Sequence, residues 1–499
     1  FPSGGAPLFH LAGLFVHSLN VLLVYRILGL LVTERVKTLN KGNLFPAGAG
    51  ALLFAIHPLQ VEAVCWVTGM KDLLSAFFSL LALWQFGLFL HLSDQAVSSK
   101  LGFFKRMVLP FTSFHYLAAT LSFFAALISK PNAVVLPGIA FLLSKMIQIK
   151  GKSVFSSVFP WGVLSIPFIF ITKSLQPDSD LPFVTPILFR PVIASDAVTF
   201  YTLKILFPFN LGMDYGRTPE FVLQQNWVIF SSLVPLLLLW LAWKSEKERK
   251  YFVAALIFIA GMLPVSGLVP FAFQFFSTVA DRYIYLAMLG PAIAVSFFLR
   301  GRKKARLILS LFLLLCLPLL SSGQAQNWKN DVELFAHASD VNSLSSFARY
   351  NLGVTYTGLK EYEKAEKSFL DALKVQPGFP DALNNLGEVY LKQGNASGAE
   401  KVFKRLLRRH PDFEKGLNNM GVALQRQGRG VEALPYFRKA VAVKPDYAKA
   451  HNNLGVLLVS SGDTEGALYH FKQALKYKPD YINALNNLNL LLSMKEKKR

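Results

Sequence analysis

The sequence predicts an all-α protein in two parts: a polytopic transmembrane helix bundle over 1–326 and an α-solenoid over 327–499. Three observations carry this. First, the 499 residues are 53% hydrophobic and only 16% charged, with 44 Phe, which is too apolar for a globular protein exposed to water on all sides. Second, the long apolar runs crowd into roughly 1–322, whereas 327–499 is polar, rich in Asn and Lys, and lacks any apolar run of 18 residues. Third, residue types in that polar part return at an interval of 34, the mark of a stacked helical repeat.

A helix rising about 1.5 Å per residue needs about 20 apolar residues to cross a bilayer. In order, such segments fall at 8–32, 44–66, 73–93, 108–128, 132–149, 154–173, 226–243, 251–272, 283–299 and 306–322, about ten spanning helices. The stretch VIASDAVTFYTLKILFPFNLG at 192–212 is also apolar but carries Asp196 and Lys204 between aromatics, so an interfacial or re-entrant helix is expected there. The opening FPSGGAPLFHLAGL has neither a basic n-region nor a small-residue cleavage site, so it is not a signal peptide. The chain is expected to be truncated before Phe1.

The formal charge of +22 is informative through its placement. With 192–212 taken as non-spanning, the linkers at 33–43, 94–107, 145–152, 244–250 and 300–306 fall on one side and hold 18 Lys/Arg against Glu34, Asp94, Glu246 and Glu248. The opposite linkers are nearly neutral, so the positive-inside rule makes that second face external, with the N-terminus and the 327–499 part on it. Neither part has a nucleic-acid motif with interleaved aromatics, so no nucleic-acid partner is expected. Cys65 and Cys316, the two cysteines, both lie in apolar runs, which excludes a disulfide framework and a Cys-based metal site.

In the polar part Pro377, Pro411, Pro445 and Pro479 are 34 residues apart, as are Gly353, Gly387, Gly421 and Gly455. Ala372, Ala440 and Ala474 share a register in which Leu406 fills the gap. Small residues where two helices touch and Pro after the second helix make this the tetratricopeptide (TPR) pattern. Four repeats are expected over 348–483, after a degenerate half-repeat at 327–347 that includes NWKNDVELFAHAS and before a capping helix at 484–499. The same register aligns Asn351, Asn385, Asn419, Asn453 and Asn487. An amide donates and accepts, so this row would hold an extended peptide backbone, and it resembles the asparagine ladder in the TPR superhelix of nucleocytoplasmic O-GlcNAc transferase. Helix capping or hydrogen bonds between repeats are the structural alternative. Asn395-Ala396-Ser397 is a glycosylation sequon.

Residues 57–72, HPLQVEAVCWVTGMKD, interrupt two apolar stretches with His57, Glu62, Lys71 and Asp72. Lys130, Arg190, Asp214, Arg217, Asp281 and Arg282 belong to the same predicted face. Charges at membrane depth cost several kcal/mol unless they pair or line a wet cavity, so this set is the candidate lining of an external cavity. Basic groups at its mouth suit a phosphate, and carboxylates or a histidine suit proton transfer. Each residue has a plainer use: His57-Pro58 as a kink, Lys71 with Asp72 and Asp281 with Arg282 as neighbouring ion pairs.

The segments HPLQVEAVCWVTGMKDLLSAFF, SKPNAVVLP, RPVIASDAVTFYTLKILFPFNLGMDYGRTP and FFSTVADRYIYLAMLGP, followed by external TPRs, resemble the TPR-bearing family C glycosyltransferases, which include the transmembrane-and-TPR O-mannosyltransferases of eukaryotes and their bacterial relatives. Lys71-Asp72, where the animal proteins have Arg-Ala-Asp, and the DYGRTP loop are more similar to the bacterial branch. The resemblance implies a polyprenyl-phosphate-linked sugar as donor, inverting transfer on the external face, and an acceptor presented by the TPRs. It implies a periplasmic setting for the repeats, with the endoplasmic-reticulum lumen as the eukaryotic counterpart. It also places the catalytic aspartate upstream of Phe1, leaving Lys71, with Arg190, Arg217 or Arg282, for the lipid phosphate and Glu62, Asp72 and His57 to shape the cavity.

A non-catalytic membrane-anchored TPR scaffold for an envelope or secretion complex is the competing function. A scaffold needs one or two anchors rather than a polar external cavity. A transporter fits less well, because no paired charges or Gly/Pro-broken helices lie near the midplane in two matching halves.

Overall fold

The computed structural model describes residues 6–33, 41–97, 113–147, 152–175, 184–245, 249–300 and 303–496. Every regular element among them is helical. The basic linkers on which the expected orientation rests, and the last residues of the 484–499 cap, lie partly outside the described residues. Contacts gather the chain into two units, Phe1–Asn342 and Ser343–Arg499.

The first unit contains α1 (Ala6–Thr33), α2 (Lys41–Ile56), α3 (Val61–Cys65), α4 (Met70–Val97), α5 (Phe114–Ser129), α6 (Leu136–Met146), α7 (Lys152–Leu175) and α8 (Arg190–Leu206). These are followed by α9 (Pro219–Leu223), α10 (Val228–Ser245), α11 (Lys250–Met262), α12 (Leu289–Leu299), α13 (Lys303–Leu311), α14 (Leu317–Gln326) and α15 (Asp331–Val341). Among the described residues four helical stretches are long and apolar enough to cross a membrane: Leu8–Val32, Val67–Ser93, Val154–Leu175 and Val228–Ser245. The expected 44–66 span is instead a pair, Leu44–Ile56 and Pro58–Cys65, bent by 52°. The cause is local, because Pro58 cannot continue the hydrogen-bond ladder of α2. His57 caps the new turn, its Nδ1 accepting from Leu59 N at 3.3 Å.

Other expected spans are also shorter. Apolar helices occupy Phe114–Ser129, Pro131–Met146, Lys250–Val265 and Leu289–Leu299, with Pro131 and Pro264 interrupting or restarting them. The 306–322 segment is α13 and α14 joined through a π turn at Phe312–Cys316. The 192–212 segment is helical only to Leu206 and then irregular.

Side-chain size sets the closest approaches. A Cβ at Gly50 would lie 2.4 Å from the Ala292 carbonyl and one at Gly290 2.5 Å from that of Ala254, so glycine lets α12 seat between α2 and α11 at backbone contact. Phe123 and Trp161 stack at 4.9 Å in the core of the unit.

Residues 327–342 belong to this first unit. Trp328 lies 6.2 Å from Trp66, His337 Nε2 is 2.7 Å from the Leu211 carbonyl, and Asn342 Nδ2 donates to Asp214 at 3.3 Å. The expected half-repeat is thus α15 on the apolar unit, and the repeat unit begins at Ser343.

The second unit contains α16 (Ser346–Gly358), α17 (Tyr362–Val375), α18 (Pro380–Lys392), α19 (Ala396–Arg409), α20 (Glu414–Arg426), α21 (Gly430–Val443), α22 (Ala448–Ser460), α23 (Thr464–Tyr477) and α24 (Ile482–Glu496). Its core comes from its own residues, with Phe369, Phe403, Phe437 and Phe471 buried at one register. Each ring fills the place a side chain would need at Gly353, Gly387, Gly421 or Gly455, where a Cβ would come within 2.7, 2.4, 2.7 or 2.6 Å of it. The turn between the helices of a repeat needs a left-handed residue, supplied by Gly394 (φ 83°), Gly428 (φ 76°) and Gly462 (φ 87°) but in the first repeat by Lys360 (φ 62°).

Candidate functional site

Three linked polar centres lie among the apolar helices of the first unit. The first joins α3, the start of α4, the turn before α6 and the 3-10 segment Asp281–Ile284. Glu62 is buried and bonded twice to Arg282: Oε1 accepts from Nη1 at 2.5 Å and Oε2 from the backbone N–H at 2.9 Å. The guanidinium is also enclosed by aromatic rings, 4.5 Å from Phe273, 4.7 Å from Trp66 and 4.8 Å from Tyr283. Asp72 pairs with Lys130, whose ammonium lies 5.8 Å from the Tyr283 ring. Tyr283 therefore stands between two cations, each held by its own carboxylate. Desolvation would penalise any one of these charges alone, and the pairs offset it.

The second centre is Asp281, one residue before Arg282 but turned to a different partner. Its Oδ1 accepts from Tyr215 Oη at 2.5 Å, and that hydroxyl accepts from Gly212 N at 2.9 Å. Burial pushes the Asp281 carboxyl well above the usual carboxylate range, and the Glu62 charge adds to this. Among the described residues Asp281 Oδ2 and Asp72 Oδ2 are buried without a hydrogen-bond partner. Lys204 crosses the Tyr215 ring at 5.3 Å and donates to the carbonyls of Phe209 (2.6 Å) and Asn210 (3.0 Å).

The third centre pairs Arg217 Nη2 with Asp196 Oδ2 at 2.5 Å, while Ser231 Oγ donates to the other Asp196 oxygen at 2.8 Å. Arg217 packs on Trp227 (4.6 Å) and Phe200 (5.2 Å). Phe200 also meets Tyr215 at 4.8 Å and so joins the third centre to the second.

Of the residues expected at the cavity, Glu62, Asp72, Lys130, Arg282, Asp281 and Arg217 are thus brought together, though not in the neighbour pairs that proximity in sequence suggests. Arg282 is held by Glu62 and not by Asp281; Asp72 is held by Lys130 and not by Lys71. Lys71 is exposed and makes no hydrogen bond or ion pair among the described residues. His57 is buried against the Ile205 carbonyl at 3.1 Å, a structural contact. Asp214 receives Gly216 N at 2.9 Å, closing a turn in which Gly216 has φ 63°. Arg190 donates to the Thr185 carbonyl at 3.0 Å and stands about 21 Å of helix rise from Lys204. The enclosure of the guanidinium by Trp66 and Phe273 was missed by sequence reasoning; the clustered FAFQFF stretch is the signal that could have found Phe273. Among the described residues no group of three or more His, Cys, Asp or Glu could hold a metal ion.

In the repeats the register asparagines are wired to one another. Asn419 Nδ2 donates to Asn384 Oδ1 at 3.0 Å, Asn453 to Asn418 at 2.9 Å and Asn487 to Asn452 at 2.9 Å, each crossing to the preceding repeat. Asn385 donates to the hydroxyl of Tyr350, which occupies the equivalent place in the first repeat, at 3.2 Å. Within a repeat Asn384 and Asn418 donate to Asn385 and Asn419 at 3.2 and 3.1 Å. Among the described residues the Asn351 side chain bonds its own helix alone, at the Phe347 carbonyl. These are the inter-repeat bonds left open as the alternative to peptide binding. Asn395 caps α19 through Gly398 N at 2.8 Å.

The tetratricopeptide repeat family matches residues 348–412 and 412–480. A protein O-mannosyl-transferase of Caenorhabditis elegans is 24% identical over 380 residues, 74% of this chain and 51% of that protein; the chain thus spans about half the length of this curated relative. Among solved structures, the TPR protein YrrB is 25% identical, covering 34% of this chain and 86% of its own, with a TM-score of 0.28. An O-GlcNAc transferase mutant of Thermobaculum terrenum is 31% identical over 23% of this chain and 22% of its own, with a TM-score of 0.22.

Proposed function

We propose that the chain belongs to a membrane glycosyltransferase that moves a sugar, mannose in the first instance, from a polyprenyl-phosphate carrier to a protein or glycan acceptor on the external face, with the repeats holding acceptor or partner. The observation that carries this reading is the reach of the similarity to the O-mannosyl-transferase. Its 380 residues are more than twice the length of the repeat unit, Ser343–Arg499, so it extends into the apolar helices that hold the polar centres. In this reading Lys71, exposed beside the Asp72–Lys130 pair, meets the carrier phosphate first, and Lys130 and Arg282 form the charged wall behind it. Asp281, its carboxyl raised and one oxygen without a partner, faces the hydroxyls of the sugar or acceptor rather than a second cation. No metal is invoked.

The test separates binding from folding. Lys71→Ala removes one charge-assisted bond to phosphate and should lower photocrosslinking to a polyprenyl-phosphate-mannose probe by about ten- to a hundredfold, from about 1.5–3 kcal/mol, with an unchanged melting temperature. Arg282→Ala instead strands Glu62 and should destabilise the unit by about 3–5 kcal/mol. Undiminished crosslinking of the Lys71 variant removes the phosphate assignment. Absence of both crosslinking and transfer in the intact protein leaves the membrane scaffold.

A further inference from the structure

With the register amides engaged between repeats, the chemistry that remains for recognition lies on the second helices. Basic residues are unevenly placed along the unit. Residues 343–400 carry six Lys/Arg against seven Asp/Glu, whereas residues 401–480 carry fifteen against seven. The first helices of successive repeats pack on each other, so the second helices α19, α21 and α23 form the opposite face. Repeat geometry then sets residues of equal register side by side.

On that face Lys404, Arg438 and Lys472 share one register and are all exposed, and Arg408 and Lys476 share another and are exposed too. Lys404 is tied to Glu400 at 2.6 Å. Arg408, Arg438, Lys472 and Lys476 make no ion pair among the described residues. Like charges held in rows by a rigid scaffold repel one another, and only an external anion relieves that.

We infer that the α19–α21–α23 face is a docking surface for an acidic segment of a partner protein, with Asp and Glu side chains running across the rows of cations. The partner is taken as protein because the fold that carries the rows is a TPR array and because the exposed rings beside the rows, Tyr469 and Tyr477, are confined to α23 rather than repeated along them as base-stacking platforms would be. The inference rests on reading the repeats as a partner-binding unit and is independent of sugar transfer.

The experiment uses the isolated 343–499 unit, whose core is drawn from its own residues, and a labelled poly-glutamate peptide as probe. Saturable binding that weakens with salt is expected. The charge reversal R408E/K472E should weaken it at least about tenfold while leaving the melting temperature unchanged, since both side chains are exposed and unpaired. The same change on the first helices, K415E/K449E, two exposed residues off that face, should leave binding as it is. Binding that survives R408E/K472E overturns the assignment of the face. So does absence of saturable binding, or a preference for phosphatidylglycerol vesicles or an oligonucleotide over the peptide. None of these outcomes bears on donor crosslinking, so failure here is distinguishable from failure of the transferase reading.

Discussion

Lys360 is held at φ 62° in the turn where the later repeats have Gly394, Gly428 and Gly462. A side chain there costs about 1–2 kcal/mol, and glycine gives back part of that through the unfolded chain. Lys360→Gly is therefore expected to stabilise the repeat unit by about 0.5–1 kcal/mol, read from urea unfolding of 343–499; a destabilised variant would mean that the turn is not strained. Asn419 makes the opposite case. It is buried, bonds Asn384 and Glu388 through Nδ2 at 3.0 and 2.7 Å, and accepts from Asn418. Asn419→Ala leaves buried acceptors unmet and should cost about 1–3 kcal/mol, while Asn351→Ala, losing one bond to its own helix, should cost less than about 0.5 kcal/mol. Equal costs would contradict the ladder. Sequence spacing placed these asparagines in register because the period is strict. It could not show where the amides point, since each bond joins residues 35 apart and exists only once repeats stack.

At the scale of elements, α22 and α23 are joined by His451 Nδ1 and His470 Nδ1 at 2.9 Å. Burial, and then the neighbouring His451, lower the His470 imidazole from 6.5 to about 4. The folded state favours the neutral ring, so its stabilisation is complete above about pH 6.5 and is lost as pH falls through about 4. Thermal unfolding of 343–499 should thus drop between neutral pH and about 4.5, and His470→Gln should flatten the drop. An unchanged slope would assign it to other groups. Helix positions in the repeats were legible because one face must meet the next repeat. Elements of the apolar unit were less so, since long apolar runs do not declare where a chain bends. Pro58 breaks the predicted 44–66 span, and the Glu62–Arg282 pair joins residues 220 apart that no local pattern connects. Sequence reasoning ties each charge to its nearest opposite. Burial selects partners by geometry instead.

For the whole molecule, the prediction with the widest reach is orientation. The end of α10 carries Trp240 and Trp243, with Lys244 at 4.8 Å from the first ring and Arg249 at 3.2 Å from the second, the composition of a membrane interface on the basic side. The 244–250 and 300–306 linkers are expected on the cytoplasmic side, and the repeats on the other. In sealed membranes a Lys303→Cys variant should react with an impermeant thiol reagent only after permeabilisation, and a cysteine placed in the repeat unit should react before it. Labelling of Lys303→Cys from outside would invert the assignment.

The amide ladder also has a direction. Asn385, Asn419, Asn453 and Asn487 each donate backwards, to an acceptor in the repeat made just before. A repeat leaving the ribosome or translocation channel brings the donor, and the acceptor already waits on a folded neighbour. The array can therefore assemble vectorially, one repeat at a time in the order of synthesis. A ribosome stalled after any repeat would hold a folded stub that exposes acceptors but lacks no donor it needs.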